Sequence, residues 1–98
     1  MYKLEFRDKA AKEYEEAYEW YEEQLIGLGD KFEKAVDEKL NKILNNPLHY
    51  KKTTKRYHEA TLDKFPFIIA YSVNDNENYI LIMAIFHTSC NPKFKYKK

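Results

Sequence analysis

Tyr2, Leu4 and Phe6 alternate with Lys3, Glu5 and Arg7 at the start of the chain, the period-two pattern of a short strand with one buried face. Asp8 stands where it can cap a helix. The period then lengthens: Ala10, Tyr14, Ala17, Tyr18, Tyr21 and Leu25 recur at three- and four-residue intervals, with Glu13, Glu15, Glu16, Glu19, Glu22 and Glu23 between them. This spacing predicts an amphipathic helix with a strongly acidic outer side. Gly27 and Gly29 bracket Leu28 and break it, because glycine readily takes the positive φ needed at a helix end. A second helix, with Asp30 as its candidate cap, would bury Phe32, Val36, Leu40, Ile43 and Leu44, with Ala35 beside them. It should stop at Asn45-Asn46-Pro47, since proline disfavours helix in the residue before it. The short loop between the helices predicts an antiparallel hairpin.

After a polar, basic connector, Lys51-Lys52-Thr53-Thr54-Lys55-Arg56, come three β-like runs at 57–63, 65–73 and 79–88. In the second, Phe67, Ile69, Tyr71 and Val73 alternate with Ile68, Ala70 and Ser72, and Asn74-Asp75-Asn76-Glu77-Asn78 reads as a hairpin turn. Tyr79 to Phe86 is apolar on both faces, as an interior strand requires. The expected fold is one α+β domain over residues 1–98, of order β-α-α-β-β-β, with the helical hairpin packed on one face of a mainly antiparallel sheet.

Composition adds constraints. A chain of 98 residues has room for one modest core, and nine tyrosines and six phenylalanines make that core unusually aromatic. One cysteine, Cys90, excludes an intramolecular disulfide, and the three histidines are too dispersed for a recognisable zinc motif. No metal or other cofactor is expected. The start lacks the apolar core of a signal peptide and no run approaches a membrane span, so a soluble, cytoplasmic protein without a membrane partner is expected. The net charge of +1 conceals a division: residues 1–50 carry 8 basic and 12 acidic side chains, and residues 51–98 carry 9 and 4. The halves are thus −4 and +5, which leaves room for a local phosphate-binding face as well as for a merely solvated lysine surface.

Three segments together resemble the RelE/ParE toxins of bacterial type II toxin-antitoxin systems, the plasmid stabilisation family. Glu16-Ala17-Tyr18-Glu19-Trp20-Tyr21 with Gly27-Leu28-Gly29-Asp30-Lys31-Phe32 is similar to that family's EAxxWY and GLGxxF pair. Lys64-Phe65-Pro66-Phe67, leading to Tyr71, resembles its (K/R)FP(Y/F) segment, and Phe86-His87-Thr88-Ser89-Cys90-Asn91-Pro92 its FHxSRxP motif. Most of these residues have a packing explanation. Trp20, Tyr21, Leu28 and Phe32 are expected to lock the hairpin onto the sheet, and Pro66 to start a strand, where its missing N–H costs least.

The resemblance implies a cognate antitoxin as partner, and one of two activities: ribosome-dependent mRNA cleavage or, without enzymatic chemistry, inhibition of DNA gyrase. A degenerate toxin that retains only antitoxin binding is a third reading. Metal-free RNA cleavage needs a base for the 2′-hydroxyl, charge stabilisation at phosphorus and an acid for the leaving oxygen. His87, at the end of the interior strand, is the candidate acid/base group, though such a histidine equally serves to anchor a loop. Arg56 can grip two phosphate oxygens, with Lys52 and Lys55 beside it in an otherwise ordinary basic loop. Tyr57 and His58 are a candidate RNA-contacting pair, either of them also fit for burial. Tyr96, among four tail lysines, suits base stacking or proton donation if the tail is ordered. Cys90 stands where the family motif carries arginine, and a thiol cannot replace a permanent cation. Arg56 or a tail lysine would have to supply that charge.

Overall fold

A computed structural model describes residues 2–53 and 56–89. Strand β1 (Lys3–Phe6) leads into helix α1 (Asp8–Gln24), a three-residue turn, helix α2 (Leu28–Asn45) and strands β2 (His58–Thr61), β3 (Phe67–Asn74) and β4 (Tyr79–His87). The strands form one sheet in the order β1-β4-β3-β2, with β1 parallel to β4 and the other two pairs antiparallel. Both helices lie on one face. The expected element order, the interior position of the last strand and the end of the second helix at Asn45 are all found.

The two expected caps are placed differently. Arg7 and Gly27 occupy the N-cap positions without side-chain hydrogen bonds, and Asp8 and Asp30 lie inside the first helical turns. There they still face the positive end of the helix dipole. Asp30 Oδ1 also accepts the Tyr18 hydroxyl at 2.7 Å, tying the helices together. Gly27 takes φ +91°, the left-handed backbone the turn requires. Gly29 is needed for a different reason: a Cβ there would meet the Tyr18 carbonyl oxygen at 2.9 Å and Glu22 Oε1 at 2.8 Å. Glu22 holds the turn by accepting the amides of Gly27 and Gly29, both at 3.0 Å.

Between helices and sheet, Phe32 is fully buried and its ring meets those of Tyr14, Tyr21, Phe65 and Phe67 at centroid distances of 5.2–5.9 Å. Of the residues expected to lock the hairpin down, Tyr21 and Phe32 are buried and Leu28 is partly so. Trp20 is not: it is 56% exposed and touches the edge of Tyr21 from outside. Adjacent helix positions point about 100° apart, so Tyr21 and Trp20 cannot both face the core. Leu25, at the end of α1, is likewise exposed rather than buried.

A β-bulge sets the faces of β4. Ala70 pairs with Ala84 but Tyr71 pairs with Ile82, leaving Met83 as an extra residue. Ile80 and Ile82 before it and Ile85 after it therefore all join the core under the helices, while Ala84 and Phe86 turn to the other face with Ala70. Strand β1 ends opposite Ile82, so the amide of Ile85 has no strand beside it. Glu13 Oε1 accepts that hydrogen at 2.9 Å, and its other oxygen pairs with Lys9 at 2.8 Å.

Replacing Phe32 by alanine should lower unfolding free energy by about 3–5 kcal/mol in denaturant titrations. Gly29→Ala should cost about 1–3 kcal/mol despite alanine's better helix propensity, because its methyl meets backbone. The Tyr18 phenol, hydrogen-bonded to Asp30, is pushed up to about 12 from an ordinary value of 10.0. Its bond to Asp30 thus stabilises the fold fully below pH 10 and loses that contribution as pH rises from 10 towards 12. Stability of Tyr18→Phe, measured across that window, should fall less steeply than that of the parent chain.

Candidate functional site

The described residues of the basic connector lie against the outer edge of β2. Lys52 forms an antiparallel bridge with His58, the Thr53 amide donates to the Tyr57 carbonyl at 3.0 Å, and the Glu59 amide to the Lys51 carbonyl at 2.9 Å. These bonds fix Lys51, Lys52 and Thr53 beside the start of β2, and Arg56 is exposed. Lys55 lies outside the described residues, as do Cys90 and Tyr96.

A cleft of about 500 Å³ opens where these residues meet the sheet, lined by Lys52, Arg56, Tyr57 and His58 on one side and Ser72, Leu81 and Met83 on the other. Ser72 alternates with Tyr71, and Leu81 with Ile80 and Ile82, so the sheet side of the cleft belongs to the face turned away from the helices. Leu48, Val73 and Asp75 complete the lining. Asp75 accepts the Tyr2 hydroxyl at 2.6 Å, and this hydrogen bond, before any effect of burial, raises the Tyr2 pKa. One carboxylate thus stands among the cations. The sequence signalled neither it nor the apolar floor, because both depend on which face the strands present across the hairpin turn.

His58 borders this cleft yet is 7% exposed. Its Nδ1 lies 2.9 Å from the Tyr50 carbonyl oxygen, an acceptor, so Nδ1 carries the proton. Its ring stacks on Tyr71 at 5.2 Å and 14°. Tyr71 is fully buried and donates its hydroxyl to the Pro47 carbonyl at 2.6 Å, while burial raises its pKa. The His58–Tyr71 pair therefore fastens the segment after α2 to the sheet. Lys39, 7% exposed, adds a second clamp: its ammonium lies 3.2 Å from Asp63 and over the Tyr50 ring. With Lys42 also close, these cations hold the Asp63 carboxyl below its ordinary value.

His87 is not brought to the cleft. It pairs across the sheet with Phe67, whereas His58 pairs with Tyr71, four residues and roughly 13 Å further along β3. Beyond the bulge it shares the helix-side parity of Ile85, and its exposed ring meets Phe67 edge-on at 5.4 Å. Nδ1 accepts the Ser89 amide at 3.0 Å and lies 2.7 Å from Ser89 Oγ, so the neutral ring carries its proton on Nε2. Of the proposed site residues, the structure gathers Lys52, Arg56, Tyr57 and His58, and leaves His87 at the far end of β4. Among the described residues no group of three or more His, Cys, Asp or Glu side chains could hold a metal ion, and no helix is long and apolar enough to cross a membrane.

The family model for the ParE toxin of the type II toxin-antitoxin system parDE matches residues 4–92. No curated protein sequence matches the chain. Among solved structures, isolated Escherichia coli RelE toxin is 16% identical with a TM-score of 0.69, covering 96% of this chain and 92% of that one. The intact E. coli RelBE toxin-antitoxin complex gives 18%, 0.68, 89% and 96%. The chromosomal ParDE system of P. aeruginosa gives 20%, 0.64, 89% and 96%. At these identities the likeness is one of fold.

Two substitutions separate packing from surface chemistry. Tyr71→Phe should cost about 1–3 kcal/mol of stability, since the buried Pro47 carbonyl loses its donor. Arg56→Ala, at an exposed turn, should change unfolding free energy by no more than about 0.5 kcal/mol.

Proposed function

The chain belongs to the ParE toxin family of type II toxin-antitoxin systems, and from that premise we propose that it arrests growth by acting on messenger RNA at the ribosome, held in check by a cognate antitoxin. The observation that carries this reading is the convergence of Lys52, Arg56 and Tyr57 on one open cleft. Its chemistry suits single-stranded RNA: a guanidinium to grip phosphate, an ammonium to attract the backbone, and an aromatic ring on which a base can stack. In cleavage, Arg56 would neutralise charge growing on the phosphorane, and Lys52 and the Tyr57 hydroxyl are proton-bearing groups on the same cleft wall. His58 supports that wall through Tyr50 and Tyr71. Lys55 and Tyr96 are proposed as further RNA contacts. The antitoxin is proposed from two neighbours, RelBE and ParDE, whose structures are toxin-antitoxin systems. An acidic antitoxin segment would complement the basic second half.

Inhibition of DNA gyrase without cleavage is the second reading, favoured by the family match and by the distance of His87 from the cleft. Induction without antitoxin separates the two, with RNA 5′-end mapping and an assay for gyrase-linked DNA breaks on the same cells. The RNA reading expects new 5′ ends within coding sequences, lost about 100-fold in Arg56→Ala while the variant stays folded. Gyrase-linked breaks without new RNA ends would replace it by the second reading. In RNA binding, Lys52→Ala with Arg56→Ala should also reduce the dependence of affinity on salt; an unchanged slope would remove those cations from the interface.

A further inference from the structure

The end of α1 and the turn after it carry three large apolar side chains that the fold leaves in water: Trp20 at 56%, Leu25 at 62% and Ile26 at 91% exposure. They fall within seven residues of one another, on the far side of the molecule's helical layer from the basic cleft. Exposed apolar side chains are common singly. Three of this size at the end of one helix and in the turn after it suggest a contact surface. None is required to shape the turn, which is held by Gly27, Glu22 and the packing of Gly29.

Charge identifies the occupant. From residue 13 to residue 30 the chain has no lysine or arginine, and every ionisable side chain other than tyrosine is acidic. Glu13, Glu22 and Asp30 are used inside the fold, bonding Ile85, the turn amides and Tyr18. Glu16, Glu19 and Glu23 are exposed and have no partner among the described residues. They lie at −4, −1 and +3 from Trp20, so Glu16 and Glu23 flank the indole along one helix face and Glu19 stands beside it. An aromatic face open to water between carboxylates attracts guanidinium or ammonium groups twice, through the ring quadrupole and through ion pairing. Leu25 and Ile26, in the turn that follows the helix, supply exposed apolar contact beyond it.

We propose that this face of α1, with the turn that follows, docks an arginine- or lysine-rich protein segment that also carries apolar anchors. The surface is separate from the cleft, so the toxin has two partner-facing sides of opposite charge. An acidic segment suits one and a basic segment the other. This assignment holds whether the toxin acts on RNA or on gyrase, because it uses no residue of the cleft.

Trp20 is the only tryptophan, so its emission reports on the surface directly. The full chain is titrated at low salt with a helical peptide of arginines and leucines, with the same peptide carrying glutamate for arginine, and with an arginine peptide lacking leucine. The first should bind and shift Trp20 emission to shorter wavelength; the second should not bind, and the third should bind at least tenfold more weakly. Glu16→Gln/Glu19→Gln/Glu23→Gln and, separately, Leu25→Ser/Ile26→Ser should each weaken the first peptide at least tenfold, with thermal unfolding unchanged. An unmoved Trp20 emission, equal binding by either variant, or equal binding of the leucine-free peptide overturns the proposal. So does a wild-type dimer that Leu25→Ser/Ile26→Ser converts to monomer in sedimentation, because the occupant is then a second copy.

Discussion

The burial of Phe32 is the contact on which the other elements depend. From α2 its ring reaches α1 through Tyr14 and Tyr21 and the sheet through Phe65, before the central hairpin, and Phe67, at its first residue. A domain of this size has little apolar area to spend, and edge-on aromatic contacts contribute beyond the area they bury. The cluster also explains the turn chemistry. To bring Phe32 beneath α1 the second helix must start close against the first, and the Gly29 position, with backbone at 2.9 Å from where a Cβ would be, is the consequence. The structural value of the GLGxxF spacing is therefore concrete: one glycine for φ, one for proximity, and the phenylalanine they deliver.

The second constraint is the bulge at Met83. A strand with apolar residues at every position can place either set beneath the helices, and one extra residue lets β4 use Ile80 and Ile82 before it and Ile85 after it. The same change of parity puts His87 on the helix side against Phe67 and leaves Leu81 and Met83 on the face of the cleft. The face that His87 takes thus follows from core packing, while its distance from the cations follows from its place four residues along β3. Glu13 completes the arrangement by occupying the Ile85 amide where β1 has ended.

Much of this was legible in the sequence. The change of period from two to between three and four placed β1 and α1, the Asn-Asn-Pro stop ended α2, and the continuous apolar run gave the interior strand. Three features were not. The exposure of Trp20 was masked by the EAxxWY resemblance, although the helical spacing that takes in Tyr21 passes Trp20 by. His58 looked equally fit for surface or core; its burial needs the Tyr50 carbonyl and the Tyr71 ring, from segments 8 and 13 residues away. The parity change at Met83 is invisible in a run without polar residues. In the candidate site, Lys52, Arg56 and Tyr57 could be named because they are close in sequence, but the opposing wall of Ser72, Leu81 and Met83 exists only through strand pairing.

The division of charge between the two halves becomes, in the fold, a division between two surfaces. Acidic side chains of α1 lie on the helical layer, and Lys52 and Arg56 line a cleft on the opposite face of the sheet. Lys9–Glu13 pairs within the acidic half, and Lys39 and Lys42 of that half pair with Asp63 of the basic one, so none of these ion pairs joins the carboxylates of α1 to the cations of the cleft, and Glu16, Glu19 and Glu23 stay unmatched among the described residues. Separated charge of this kind costs the free protein self-repulsion along α1, since like charges at i, i+4 and i, i+3 oppose helix formation. A packed aromatic core beneath the helix makes that cost tolerable. The surface charge is then free to serve recognition, because the stability of α1 rests on Ala10, Ala17 and Tyr21 rather than on its solvent face.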